Sequence, residues 1–303
     1  MYDTVIIGGG IAGLTAAMYA ARKRMDYVIL SDEFGGQFIE SGEILNYPGI
    51  ISTDGIRFSG ILKEQMAFNG VNVKRGEIVR SIKKDSKGNF KVKTEKNTYE
   101  SRSVIIATGS HPRKLNVPGE EKFTLKGVHY CTICDGPLYH DKDVVVVGGG
   151  DSALESADFL LNIAKTITII NKSDSFNAHR YLQERIENKQ KVRIINNADV
   201  TEILGNKMVT GIKYEKEGRQ SHIETEGVFV EIGRIPNTAI AKGLVKLDEH
   251  DHIKVNVQTE TSTPGVFAAG DCTDIHEYQY IIAAGQGAAA LIKAARYLTG
   301  VKK

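Results

Sequence analysis

Thr4-Val5-Ile6-Ile7-Gly8-Gly9-Gly10-Ile11-Ala12-Gly13 opens the chain with a short β-branched run that passes straight into a glycine turn. Small and apolar residues at helical spacing follow from Leu14 to Arg22. Strand, glycine turn and helix in that order are the setting in which G-x-G-x-x-G binds a dinucleotide. Gly8 permits the tight turn, Gly10 lets a pyrophosphate approach the backbone, and Gly13 lets helix and strand pack closely. The helix N-terminus then offers unpaired N–H groups to the phosphates. A second strand is expected at Tyr27–Leu30, with Asp32 or Glu33 where a ribose-binding acid belongs.

The same design returns later. Asp143-Val144-Val145-Val146-Val147 leads into Gly148-Gly149-Gly150-Asp151-Ser152-Ala153 and a further helical stretch, with Ala153 in place of the third glycine. Gly8 and Gly148 are 140 positions apart. Each half then shows a period-two region, 71–108 and 198–226, that reads as a β-meander. Each meander ends in a buried-type strand and a glycine, Ser103–Gly109 and Glu226–Gly233. Pro112, Pro118 and Pro236 mark linkers. A chain of 303 residues suits two domains. The expected fold is α/β, with two Rossmann-like, three-layer ββα dinucleotide-binding domains, the second inserted into the first. Residues 1–113 and 241–303 form one domain, and residues 114–240 the other.

Between the halves lies Cys131-Thr132-Ile133-Cys134-Asp135. Two cysteines with two residues between them can close a small disulfide, and in a cysteine-poor chain the pair points to redox traffic. Asp135 places a carboxyl near the thiols for proton handling, with helix capping as the alternative. A zinc reading needs two further ligands, and His129, His140 and Cys272 are scattered, so no metal site is assigned. Cys272 reads as a small buried residue. His111, His129, His179 and His276 read as surface or loop residues without a role. Gly35-Gly36-Gln37 and Asn46-Tyr47-Pro48-Gly49 form loops that can lie against a flat ligand or be ordinary turns.

Charge excludes little but excludes it clearly. With 39 Lys+Arg against 37 Asp+Glu the net is +2, which argues for no nucleic acid and no anionic membrane. No apolar stretch approaches the roughly 20 residues needed to span a bilayer. Met1 runs directly into a strand with no signal-peptide pattern, and a cytoplasmic location is expected.

Taken together, these residues resemble the low-molecular-weight thioredoxin reductases, a family of FAD-dependent pyridine nucleotide-disulfide oxidoreductases. The resemblance covers essentially the whole chain: Gly8–Gly13, Gly35-Gly36-Gln37, Asn46–Gly49, Ala107-Thr108-Gly109, Cys131–Asp135, Gly148–Ala153 and Gly270-Asp271. It implies FAD on the first domain, with the 35–37 loop, Asp271 and Gln279 near the flavin. It implies a nicotinamide nucleotide on the second domain, at Gly148, Gly150, Asp151, Ser152 and Lys172. A homodimer and a thioredoxin-like protein substrate are implied as well. Cys134 would face the flavin, Cys131 would attack the partner disulfide, and the two domains would rotate between these tasks.

One departure concerns the donor. Family members that use NADPH carry His-Arg-Arg-x-x-x-Arg after the second domain's second strand. Here the run is Asn171-Lys172-Ser173-Asp174-Ser175-Phe176-Asn177, with Lys172 the one cation at the three arginine positions. A lysine does not reproduce a bidentate clamp, and Asn171 offers no acid for an NADH ribose. Tyr278 stands where the family has Arg before Gln279. Three functions stay open: a thioredoxin reductase using NADH or NADPH, the same reductase fed by ferredoxin or another carrier, and a flavin redox sensor without turnover.

Overall fold

The computed structural model describes residues 1–41, 43–187 and 189–300; residues 301–303, at the end of the expected first domain, lie outside the described residues. The chain divides into two compact units, residues 1–111 with 235–303 and residues 112–234. The return to the first unit therefore precedes the expected 240/241 step. Ala241 is fully buried beside Val245 and Cys272 in the first unit's core, which commits this segment to that unit.

In the first unit, Tyr2–Ile7 lies between the parallel strands Tyr27–Leu30 and Thr98–Ile106, in a seven-stranded sheet. Thr98–Ile106 serves two ladders, and its sequence shows why. Its start alternates exposed and buried residues and pairs antiparallel with Phe90–Thr94. Its end, Ser103–Ile106, is buried on both faces and pairs parallel with Tyr2–Ile7 and with Val266–Ala268. A strand covered on both sides reads as a continuous apolar run, a half-solvated one as an alternation. The late segment 235–303 thus returns a strand to this sheet, and its helix Tyr280–Leu298 packs on the helix Ile11–Arg22.

The second unit repeats the plan. Five parallel strands run in the order Val128–His129, Gly227–Val230, Asp143–Val147, Thr166–Ile170, Val192–Ile195. Ala198–Gly205, Val209–Lys216 and Arg219–Glu224 form the antiparallel meander. No helix among the described residues is long and apolar enough to cross a membrane.

Candidate functional site

The first glycine turn opens onto a cavity of about 690 Å³. Gly8, Gly10, Asp32, Glu33, Gly35, Gly36, Gln37, Thr108, Gly109 and Asp271, read separately from the sequence, all line it. The turn is tight because it must be. A Cβ on Gly13 would lie 1.9 Å from the Gly8 carbonyl oxygen, and one on Gly8, at φ +116°, would lie 2.1 Å from the Ala107 oxygen. A Cβ on Gly10 would meet nothing closer than the Gly35 oxygen at 3.8 Å, so bare backbone faces the cavity there. The Gln37 amide donates to the Ser110 carbonyl and ties the 35–37 loop to the strand end beside Gly109. Bare backbone at a helix start, with acids at the next strand's end, fits the pyrophosphate and ribose of FAD. Asn46 and Gln279 come together, with Asn46 Nδ2 donating to Gln279 Oε1 at 3.1 Å, but neither lines the cavity.

The second turn also starts a helix, Asp151–Leu160, at Gly150. Asp151 accepts from the His179 amide and contacts its ring nitrogen, both at 2.7 Å. Ser152 is exposed. Asn171 turns inward: its amide donates to Ser175 O and Asn196 Oδ1, and its Oδ1 accepts from the Ser173 amide. The Lys172 ammonium sits 3.0 Å from Asp199 on the neighbouring meander, in a solvent-exposed pair.

Cys131 and Cys134 form a disulfide with their Cα atoms 5.3 Å apart. The short helix Thr132–Asp135 carries the second cysteine. Asp135 makes no side-chain capping bond to the turn that follows it, which removes the capping alternative. Its Oδ2 instead lies 3.0 Å from His129 Nδ1, with the ring N–H out of line for a hydrogen bond. His129 is the clearest correction to the sequence reading. It is no surface residue but 5% exposed, on the strand Val128–His129 and stacked on Phe229. Its Nε2 is 2.7 Å from the Tyr139 hydroxyl. Burial, then the Asp135 charge, pushes the Tyr139 phenol up to about 12, so it keeps its proton and donates to Nε2. A neutral ring then carries its proton on Nδ1, toward Asp135. A strand of two residues, Val128–His129, leaves almost no periodic signal by which the sequence could have marked it.

Glu231 was missed as well. Its Oε1 accepts from Thr132, inside the disulfide helix, at 2.9 Å and from Ser156 at 3.0 Å. Burial raises its carboxyl to about 7 against these hydrogen bonds. Cys272 is buried, its thiol directed at the carbonyls of Ala269 and Ile106 and raised by burial.

The profile of the pyridine nucleotide-disulphide oxidoreductases matches residues 2–296. The chain belongs to this family. A thioredoxin reductase structure from Streptococcus pyogenes is similar at 38% identity and a TM-score of 0.92, covering 99% of each chain. Among curated proteins, "NADH dehydrogenase" of Bacillus subtilis is 38% identical over 98% of this chain. An alkyl hydroperoxide reductase component of Staphylococcus epidermidis is 39% identical over 98% of it. The chain spans 58% and 59% of the length of these two relatives. With the family come FAD and a nicotinamide nucleotide as cofactors.

Proposed function

We propose that this protein is a thioredoxin-disulfide reductase, taking electrons from a reduced donor to the Cys131–Cys134 disulfide and on to thioredoxin or a thioredoxin-like protein. FAD, when bound, supplies the two-electron carrier between donor and disulfide. The observation that carries the reading is the closed Cys131–Cys134 pair at the start of one short helix that also carries the Asp135 carboxyl. In the dithiol form, the Cys131 thiolate attacks one sulfur of the partner disulfide. A mixed disulfide forms and the partner's second sulfur leaves as thiolate. The Cys134 thiolate then attacks Cys131 Sγ, which closes the internal disulfide and releases the partner as a dithiol. Asp135 takes the proton that Cys134 gives up and passes it to the leaving thiolate, with the His129 ring 3.0 Å from its carboxylate.

The Lys172–Asp199 pair favours a specific form of this reading, in which NADPH is a poor donor. NADPH then holds no large preference over NADH, and a reduced ferredoxin takes over if neither nucleotide works. The test is thioredoxin reduction by FAD-loaded protein with NADH, NADPH or reduced ferredoxin in parallel. Turnover with at least one donor is expected, and its loss in both Cys131→Ser and Cys134→Ser while donor oxidation by the bound flavin persists. Thioredoxin turnover retained by either variant rules out the dithiol route. No turnover with any donor leaves the non-turnover sensor in its place.

A further inference from the structure

Away from the disulfide, within the first unit, Asp248, His252 and His276 bring one ligand atom each to within 4.8 Å of one another. His252 is 3% exposed, and its buried Nδ1 has no hydrogen-bond partner. That nitrogen faces Asp248 Oδ2 at 3.5 Å, and His276 Nε2 faces the same oxygen at 3.5 Å.

The outer contacts decide what this convergence means. Asp248 Oδ1 is occupied by the amides of His250 and His252, each at 2.8 Å, which aims Oδ2 at the two rings. The Tyr278 hydroxyl is 3.2 Å from His252 Nε2 and 3.3 Å from His276 Nδ1. A hydroxyl oxygen has lone pairs for both ring N–H groups. Neutral rings held in this way turn two bare nitrogen lone pairs and a carboxylate oxygen toward one point. Three converging acceptors repel unless a proton or a metal ion lies between them. Tetrahedral zinc with bonds of about 2.0–2.2 Å holds its ligands about 3.3–3.6 Å apart, the range of the two 3.5 Å edges. Rotation of the His276 side chain, 47% exposed, can shorten the third. A fixed acceptor on the far nitrogen of each ring is the usual outer arrangement of metal-binding histidines.

We propose that Asp248 Oδ2, His252 Nδ1 and His276 Nε2 form a site for a divalent transition-metal ion of the zinc type, with water in the fourth position. Two imidazoles and one carboxylate suit zinc-like ions over magnesium or calcium, which prefer all-oxygen shells. The ligands join the 248–252 turn to the segment after Asp271, so a bound ion fixes the loop that leads from the cavity wall to Gln279. The site is independent of the disulfide chemistry.

The test uses the full chain without an affinity tag and with the disulfide oxidised, so that neither added histidines nor thiols compete. Zinc chloride is titrated against a chromophoric chelator. One zinc per chain is expected in the wild type. His276→Ala, chosen because its ring is half exposed, should lose more affinity than the roughly 10–100-fold that an outer partner's loss costs. Tyr278→Phe keeps all three ligands and should weaken binding by about 10-fold. Circular dichroism checks that both variants fold. A wild type that takes no zinc from the chelator overturns the proposal. So does a folded His276→Ala that binds as tightly as wild type, and an unaltered Tyr278→Phe removes the two-ring arrangement behind it.

Discussion

Gly13 and Ala153 stand at the same step of two turns with nearly the same sequence, and their surroundings differ. In the first turn a methyl would lie 1.9 Å from the Gly8 carbonyl, so only glycine fits. In the second, the Ala153 methyl is accommodated, fully buried against the strand. Beyond the turns the halves diverge further. After Leu30 the acids Asp32 and Glu33 line a cavity of about 690 Å³. After Ile170, Asn171 folds inward and Lys172 is held by Asp199. Ala107 contacts the first turn where Glu231 contacts the second. The glycine pattern specifies a cradle for a dinucleotide. The charges at the end of the next strand differ between the halves, acids in the first and Lys172 beside Asp199 in the second.

The largest effect expected from this contrast lies at the donor. A 2′-phosphate carries nearly two negative charges at neutral pH, and each charge-assisted contact is worth about 1.5–3 kcal/mol. Without two such contacts NADPH should bind about 3–6 kcal/mol more weakly than in a full clamp, a factor of about 10²–10⁴. Ser173→Arg with Asn177→Arg should raise kcat/KM for NADPH and leave NADH nearly unchanged. A wild type with strong preference for NADPH breaks the contrast.

The turns themselves come next. Gly13→Ala forces the helix off its strand and should cost about 3 kcal/mol, with loss of bound FAD. Ala153→Gly should cost only about 1 kcal/mol, the usual penalty of glycine in a helix. Urea midpoints and flavin content measure both, and equal costs would mean that the two turns are packed alike.

Asp135 has no counterpart in the first half. Asp135→Asn should slow thiol–disulfide exchange with thioredoxin by about 10²-fold and flatten its pH profile. A single-turnover rate that matches wild type across pH returns Asp135 to a structural role.

The smallest effect is expected at Glu231, whose carboxyl titrates near 7 in the folded chain and near 4.5 otherwise. Below 4.5 it is protonated folded or unfolded. As pH rises from 4.5 to 7 only the unfolded chain ionises, so stability falls through that window and stays lower above it. The residue keeps some solvent contact, so the loss should be about 2 kcal/mol. Glu231→Gln keeps the acceptor for Thr132 and Ser156 and should regain most of it at pH 8. Chemical denaturation at a pH below 4.5 and at pH 8 compares the two proteins, and a pH-independent difference removes the carboxyl as the cause.

Much of this was legible because it is local. Glycine spacing, β-branched runs and the meander's alternation are steric consequences of neighbours in the chain. They gave both turns and the strands Tyr27–Leu30 and Thr166–Ile170. His129 was misread because a two-residue strand gives almost no periodic signal, and its partners Asp135, Tyr139 and Phe229 meet it through folding.

The chain alone therefore determined the family pattern, the cysteine pair and the missing arginines, since each is set by residue identity at fixed spacing. Tertiary structure decided the rest. It set Lys172 beside Asp199, 27 positions away, put Glu231 against Thr132, 99 away, and brought His276 to Asp248, 28 away. Charge pairing and desolvation act through space, and distances between residues remote in sequence exist only once the chain is folded.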